Sequence, residues 1–187
     1  MSLSPTEFLV KVLKNPFNQA LLDILQRLDL PQGMLTAGCL FLSVWNGRSG
    51  APPQHGIKDY DVFYFDGSDL SWEAENEVIR RAKPMIEGLG AKVDIKNQAR
   101  VHLWYRARFG THYPQLSSAR AGVDPYLVAC TRVGLDLRSH EIYAPDDLDD
   151  LWNGVLRMNP LNAQPDPFEQ KCRDYRSRWP WLTVRHG

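Results

Sequence analysis

The sequence predicts a mixed α+β fold (α/β mixed), a β-sheet with helices packed against it. Three observations carry that expectation. Amphipathic stretches with helical spacing are interleaved with short β-patterned runs from end to end, Gly and Pro turns separate them, and no internal repeat or low-complexity tract interrupts the pattern. The 187 residues read as one domain, 1–187, closing in a helical, aromatic tail from about residue 160.

The totals narrow the function classes. Lys and Arg number 22 against 22 Asp and Glu, so no overall field favours nucleic acid or an acidic membrane. Cys39, Cys130 and Cys172 are odd in number and widely spaced, which fits neither a disulfide framework nor paired zinc ligands; they read as reduced thiols. No basic region precedes an apolar core at the N-terminus, and no apolar stretch approaches the roughly 20 residues of a membrane span. A soluble, cytoplasmic protein without a membrane partner is the expectation.

Along the chain, Asn18 to Leu30 places Leu21, Leu22, Ile24, Leu25 and Leu28 mostly on one helical stripe that Pro31 and Gly33 close. Met34 to Ala37 reads as a short strand or entry turn, and Gly38 breaks it before a buried helix from Cys39 to Trp45. Gly47, Gly50, Pro52, Pro53 and Gly56 make Asn46 to Gly56 a loop. Ile57 to Asp66 is a strand. Ser71 caps a helix from Trp72 to Leu89, with Glu73 and Glu75 at the positive end of its dipole and Pro84 bending it or ending it early. Ala91 to Ile95 alternates like a strand, and so does Arg100 to Arg106, where Val101, Leu103 and Tyr105 oppose Arg100, His102, Trp104 and Arg106. Pro125 to Thr131, Asp146 to Leu156 and Pro167 to Arg178 read as helices.

Chemistry concentrates in Ile57 to Asp66. Successive side chains of a strand alternate faces, so Asp59 and Asp61 emerge together. Two buried, unpaired carboxylates would cost roughly several kcal/mol each, and a hard divalent cation is one partner that offsets this. Solvation at the strand end, or pairing with Lys58 or Arg48, is the other reading. Thr36-Ala37-Gly38-Cys39 is a small-residue turn entering a helix, where backbone N–H groups and the dipole suit a phosphate. Asp94, on the strand candidate Ala91 to Ile95, can add a third carboxylate from a neighbouring strand.

A glycine turn and helix, a strand carrying Asp59-Tyr60-Asp61-Val62, and a third acid on a following strand resemble the nucleotidyltransferase superfamily typified by DNA polymerase β. The strings Ala37-Gly38-Cys39-Leu40-Phe41, Gly56-Ile57-Lys58-Asp59-Tyr60-Asp61 and Asn97-Gln98-Ala99-Arg100-Val101-His102-Leu103-Trp104 are more specifically similar to a group of bacterial proteins labelled nucleotidyltransferase family protein, over about Leu28 to Asn159. The resemblance implies a polymerase β-like fold and transfer of a nucleoside monophosphate from a nucleoside triphosphate to an acceptor hydroxyl on a small molecule, RNA or protein. It implies Asp59, Asp61 and Asp94 as catalytic ligands of two Mg2+ ions, or Mn2+ in their place. Two departures stand out: Cys39 occupies the second turn position, where the superfamily has Gly or Ser, with Ser43 one helical turn on, and the turn-to-acid separation is long.

Supporting nucleotide contacts are assigned to Gly38, Cys39, Ser43, Lys58, Asn97, Arg100 and His102, each against an ordinary structural role. Lys58 lies opposite the acids on its strand, Arg100 suits phosphate, Asn97 suits a turn as well as a ligand, and a lone histidine is commonly structural. Cys39 at a helix start is either a lowered-pKa nucleophile or a small buried thiol. The tail interleaves Phe168, Tyr175, Trp179 and Trp181 with Lys171, Arg173, Arg176, Arg178 and Arg185, which suits either stacking on single-stranded nucleic acid or a terminal helix docked on the domain. Two rival functions remain: a catalytically silent nucleotide-binding or regulatory domain of the same fold, and a nucleic-acid-binding module.

Overall fold

The computed structural model of the chain describes residues 2–146 and 148–186. Its element order is α1 Pro5–Val12, α2 Pro16–Leu25, β1 Met34–Thr36, α3 Gly38–Ser49, β2 Tyr60–Tyr64, α4 Trp72–Ile86, β3 Val93–Asn97, α5 Val101–Phe109, β4 Gly134–Asp136, β5 Ile142–Tyr143, α6 Leu148–Asn153, β6 Val155–Arg157, α7 Pro165–Arg178 and β7 Thr183–Arg185. A five-stranded sheet runs β3-β2-β1-β4-β5, and β6 pairs with β7 separately. The larger sheet is mixed: β2 and β3 are parallel, joined over α4, while β1, β2, β4 and β5 otherwise pair antiparallel. An α+β fold is what the alternation of patterns predicts.

One face of the sheet is buried under helices. Tyr60, Val62 and Tyr64 of β2 enter the main core with Leu35, Trp45, Ile95 and residues of α1 to α4, α6 and α7. The other face is covered in part by a small cluster of Met34, Ala119 and Val123, against which Phe63 and Tyr126 pack. Asp61 and Phe63 are on this second, more open side of β2, half-exposed between the buried positions.

Local signals explain the regular elements. Ser4 and Glu7 form a capping box at α1, with Pro5 at its first position. Ser71 Oγ accepts from Ala74 N at 3.1 Å and caps α4, which ends at Ile86, just beyond Pro84, and passes into a 3-10 turn at Glu87–Leu89. Helix α3 runs on to Ser49, through Asn46 and Gly47, because Asn46 is fully buried and bonded: its amide donates to Pro53 O at 3.0 Å and His55 O at 2.8 Å, folding the glycine-proline loop back on the helix.

Three expectations are corrected. Arg100 to Arg106 is helical, not a strand. Asn97 Oδ1 accepts from Ala99 N at 3.1 Å and caps the 3-10 turn Gln98–Arg100 that opens α5, so a local cap overrides the period-2 alternation. Pro125 to Thr131 is a helix only as the 3-10 turn Ala129–Thr131, because Asn159 Nδ2 donates to Asp124 O and Tyr126 O while Asn162 Nδ2 donates to Pro125 O, holding the segment in an irregular course. The helix expected over Asp146 to Leu156 spans Leu148–Asn153; Gly154, with φ 69°, stops it and β6 follows, while Asp147 lies outside the described residues. At the C-terminus, α7 buries Phe168, Cys172 and Tyr175, followed by Trp179, in the main core, which is the docked-helix alternative for the tail.

A Cβ at Gly154 would fall 2.1 Å from Trp181 Cζ3 and 2.8 Å from Leu182 Cδ2, at a left-handed φ. Gly154→Ala should therefore destabilise the chain by at least about 2 kcal/mol, read as a lower Tm, since both backbone strain and overpacking oppose it.

Candidate active site

The site grows from the alternation in β2. Tyr60 is turned into the core, where Asn15 Nδ2 donates to its hydroxyl at 3.1 Å and to Ser43 Oγ at 3.2 Å, tying the segment before α2 to α3 and β2. Asp59 and Asp61, on either side of Tyr60, share the opposite face. The parallel register pairs Asp61 directly with Asp94 of β3, so their side chains leave the sheet on the same side. Asp61 is raised to about 7, first by burial and then by the charges of Asp59 and Asp94.

Two clefts meet at Asp61. The first, of about 400 Å3, is lined by the start of α3 (Ala37, Gly38), by Lys58, Asp59 and Asp61, and by Lys171, Asp174 and Arg178 of α7. The second, of about 800 Å3, contains Asp61, Asp94, Lys96 and an aromatic wall from α5 and the segment after it. Tyr126 borders both, its hydroxyl 3.2 Å from Thr36 Oγ1.

The floor of the first cleft is a strained turn. Ala37 has φ 63° and ψ −142°, a region that residues other than glycine rarely occupy, and it precedes α3 without any side-chain cap. The first N–H groups of α3 are thus left for another acceptor, at the positive end of a 12-residue helix. Neither Lys58 nor Lys171 has an ion-pair partner among the described residues; Lys171 Nζ lies 5.2 Å from the Tyr175 ring centre. Arg178 is more committed, with Nη1 donating to Gly56 O at 3.2 Å and its guanidinium over Trp179. That contact and Asn46 fasten the glycine-proline loop against α7, just ahead of Lys58 and Asp59.

The donor set suits a hard divalent cation: three carboxylates from β2, β3 and the residue before β2, one of them holding its proton to near neutrality through burial first and the charges of the other two second. As the side chains stand, no group of three or more His, Cys, Asp or Glu among the described residues is gathered tightly enough to hold an ion. Two amines compete. Lys96 Nζ lies 2.8 Å from Asp94 Oδ1, and Lys92 Nζ lies 3.4 Å from Asp59 Oδ2, with Asp59 and Asp94 about 40% exposed at 41% and 40%.

The other sequence-derived candidates are dispersed. The Cys39 side chain is fully buried, its thiol donates to Thr36 O at 3.0 Å, and burial, then Asp61, hold it well above the ordinary thiol range; neither a thiolate nor a side-chain nucleotide contact is available. Ser43 Oγ donates to Cys39 O at 2.7 Å inside the core and faces no cleft, so it does not replace a hydroxyl at the turn. Asn97 and Arg100 are engaged within the fold and line neither cleft: Asn97 Nδ2 donates to Asp66 O at 2.9 Å, and buried Arg100 pairs with Glu75 while its Nε donates to Leu70 O at 2.8 Å. His102 is half-buried on α5, with Nδ1 lacking a hydrogen-bond partner, and lines neither cleft. Gly38 and Lys58 are brought to the first cleft. Lys171 and Tyr126 were not foreseen there; the spacing of Lys171, Asp174 and Arg178 on one helical stripe was the available signal for α7.

In the folded chain Asp61 keeps its proton up to about pH 7, whereas an unfolded chain releases it near the ordinary 3.8. Between those values the folded state binds more protons, so stability falls as pH rises through this window, by on the order of 4 kcal/mol, and stays low above it. In chelator, Asp61→Asn should therefore raise the Tm at pH 8 by several degrees and flatten the decline between pH 5 and 8.

Comparison with known proteins adds the family. The chain is 25% identical to a protein whose NMR structure is described as revealing a CCA-adding enzyme head domain, with a TM-score of 0.75 over 97% of this chain and 96% of that one. It also superposes, at 11% identity and a TM-score of 0.53, on a tRNA-processing enzyme in its apo form I, covering 92% of this chain and 43% of that one, a likeness that shows the fold alone. No curated protein matches the sequence. Residues 23–184 match a family described as Nucleotidyltransferase, and the chain belongs to that family.

Proposed function

We propose that the chain transfers a nucleoside monophosphate from a nucleoside triphosphate to an acceptor hydroxyl, with the triphosphate in the first cleft and the acceptor entering through the second. The position of Asp61, shared by both clefts and flanked by Asp59 and Asp94, carries this reading. Backbone N–H groups at Gly38 and Cys39 would bind phosphate oxygens, and the ammonium groups of Lys58 and Lys171 would hold the triphosphate in the ground state as well as in the transition state. The acceptor oxygen would bond to the α-phosphorus as the bond to the bridging oxygen breaks, with pyrophosphate leaving; Asp94, which lines the second cleft, would take the hydroxyl proton. Asp59, Asp61 and Asp94 would hold Mg2+, or Mn2+, which when bound supplies charge neutralisation at the triphosphate and lowers the pKa of the acceptor hydroxyl. Lys92 and Lys96 would then give up their carboxylate partners. The reading assigns the chain to the cytoplasm, where nucleoside triphosphates coexist with reduced thiols such as its three unpaired cysteines.

A second reading, a nucleotide-binding domain without turnover, draws support from the same two lysines, which occupy Asp59 and Asp94 as the side chains stand. One experiment separates the two. The protein is incubated with Mg2+, each labelled nucleoside triphosphate and cell extract, and labelled products are resolved. Transfer should depend on Mg2+ and fall at least about 100-fold in Asp61→Asn, while Lys171→Ala raises KM more than it lowers kcat. Nucleotide binding without any transfer would favour the silent domain; transfer insensitive to Asp61→Asn would refute the proposal.

A further inference from the structure

The second cleft does not end at the aromatic wall. It shares Lys96, Trp104 and Arg108 with a neighbouring cleft of about 480 Å3 that is also lined by Trp72. Together they form a track from Asp61 and Asp94, past the exposed side of α5, to the first residue of α4. Aromatic rings succeed one another along it: Trp104 and Tyr105 have centroids 6.1 Å apart, Tyr105 and Phe109 4.6 Å, and Tyr105 and Tyr113 4.4 Å. Trp72 is 62% exposed and Phe109 53%, ring surface that α4 and α5 do not bury.

Charge along the track favours an anionic occupant away from the reacting end. Two of its acids are paired, Glu75 with Arg100 and Asp94 with Lys96; Asp124 accepts the Tyr143 hydroxyl, and Asp61 belongs to the reacting end. Arg108 has no carboxylate partner among the described residues, its guanidinium lying 5.4 Å from the Phe109 ring centre. A run of rings, Trp72 and Phe109 exposed and Trp104, Tyr105 and Tyr113 half-buried, with interspersed cations matches bases that stack and phosphates that need neutralising. A small polyhydroxyl acceptor would not use the length.

We propose that the acceptor is the 3′-hydroxyl end of a single-stranded nucleic acid, its terminal nucleotide beside Asp61 and Asp94 and the preceding bases on Trp104, Tyr105 and Trp72. This rests on the reading of the acids as a nucleotidyl-transfer centre. The neutral chain predicts modest affinity that falls with salt. Because these residues lie outside the nucleotide cleft, their loss should leave triphosphate binding intact.

The test measures fluorescence anisotropy of labelled oligoribonucleotides and oligodeoxyribonucleotides with the full chain, alongside calorimetric binding of nucleoside triphosphate with Mg2+. Oligonucleotide affinity should fall at least about 10-fold in Trp104→Ala; in Arg108→Ala it should fall several-fold with a shallower salt dependence, and triphosphate binding should be unchanged in both. The two oligonucleotide arms show whether a ribose or deoxyribose end is preferred. Triphosphate binding without oligonucleotide binding, or oligonucleotide binding indifferent to both substitutions, overturns this inference and leaves the transfer reading standing. Oligonucleotide binding sensitive to both substitutions but without triphosphate binding keeps the track and removes the transfer reading.

Discussion

The candidate site depends on one constraint, the two-residue alternation of a single strand whose buried side is fully occupied. Tyr60, Val62 and Tyr64 are fixed in the core, and a slip of one position would bury Asp61 and Phe63 in their stead. With Tyr60 held by Asn15, Asp59 and Asp61 have only the open face left to them. The parallel pairing with β3 then delivers Asp94 to Asp61, and mutual repulsion of the three carboxylates follows from register alone. The fold thereby concentrates negative charge at a point that an apolar core would not tolerate and a cation relieves.

The second contribution comes from the far end of the chain. Helix α7 buries Phe168, Cys172 and Tyr175 and so presents Lys171, Asp174 and Arg178 to the first cleft; Trp179 Nε1 donates to Asn46 Oδ1 at 3.0 Å, joining this helix to α3. The start of α3, the loop before Asp59 and α7 are thus one clamped unit around the first cleft. The unfavourable backbone at Ala37 is retained within it, where a bulkier or capped helix start would take the N–H groups from a ligand. This combination supports the nucleotide side of the proposal independently of the acids.

How much of this could be read beforehand follows from the range of each signal. The common face of Asp59 and Asp61 needs only strand periodicity, the start of α4 needs only Ser71 as a cap, and α7 needs only its helical stripe. Arg100 to Arg106 misled because Val101, Leu103 and Tyr105 alternate; the deciding cap, Asn97, is local but short-ranged against that pattern, and only the Glu75 partner of Arg100 belongs to tertiary context. Pro125 to Thr131 is shaped by Asn159 and Asn162, more than thirty residues away. Lys171 could not be placed beside Gly38 from sequence, since nothing local says where α7 docks. Lys92 and Lys96 were invisible as competitors for the same reason: strand spacing gives their face, not their rotamer.

On the proposed mechanism Asp59 and Asp94 exchange lysine for a divalent cation when nucleotide fills the first cleft. A crystal structure with Mg2+ and a non-hydrolysable nucleoside triphosphate analogue tests it most directly. The expected structure has a cation bound by carboxylates of Asp61 and its neighbours, Lys96 withdrawn from Asp94, and phosphates against the start of α3 beside Lys58 and Lys171. An analogue bound elsewhere, or bound there with Lys92 and Lys96 still on Asp59 and Asp94 and no cation between the acids, would contradict it.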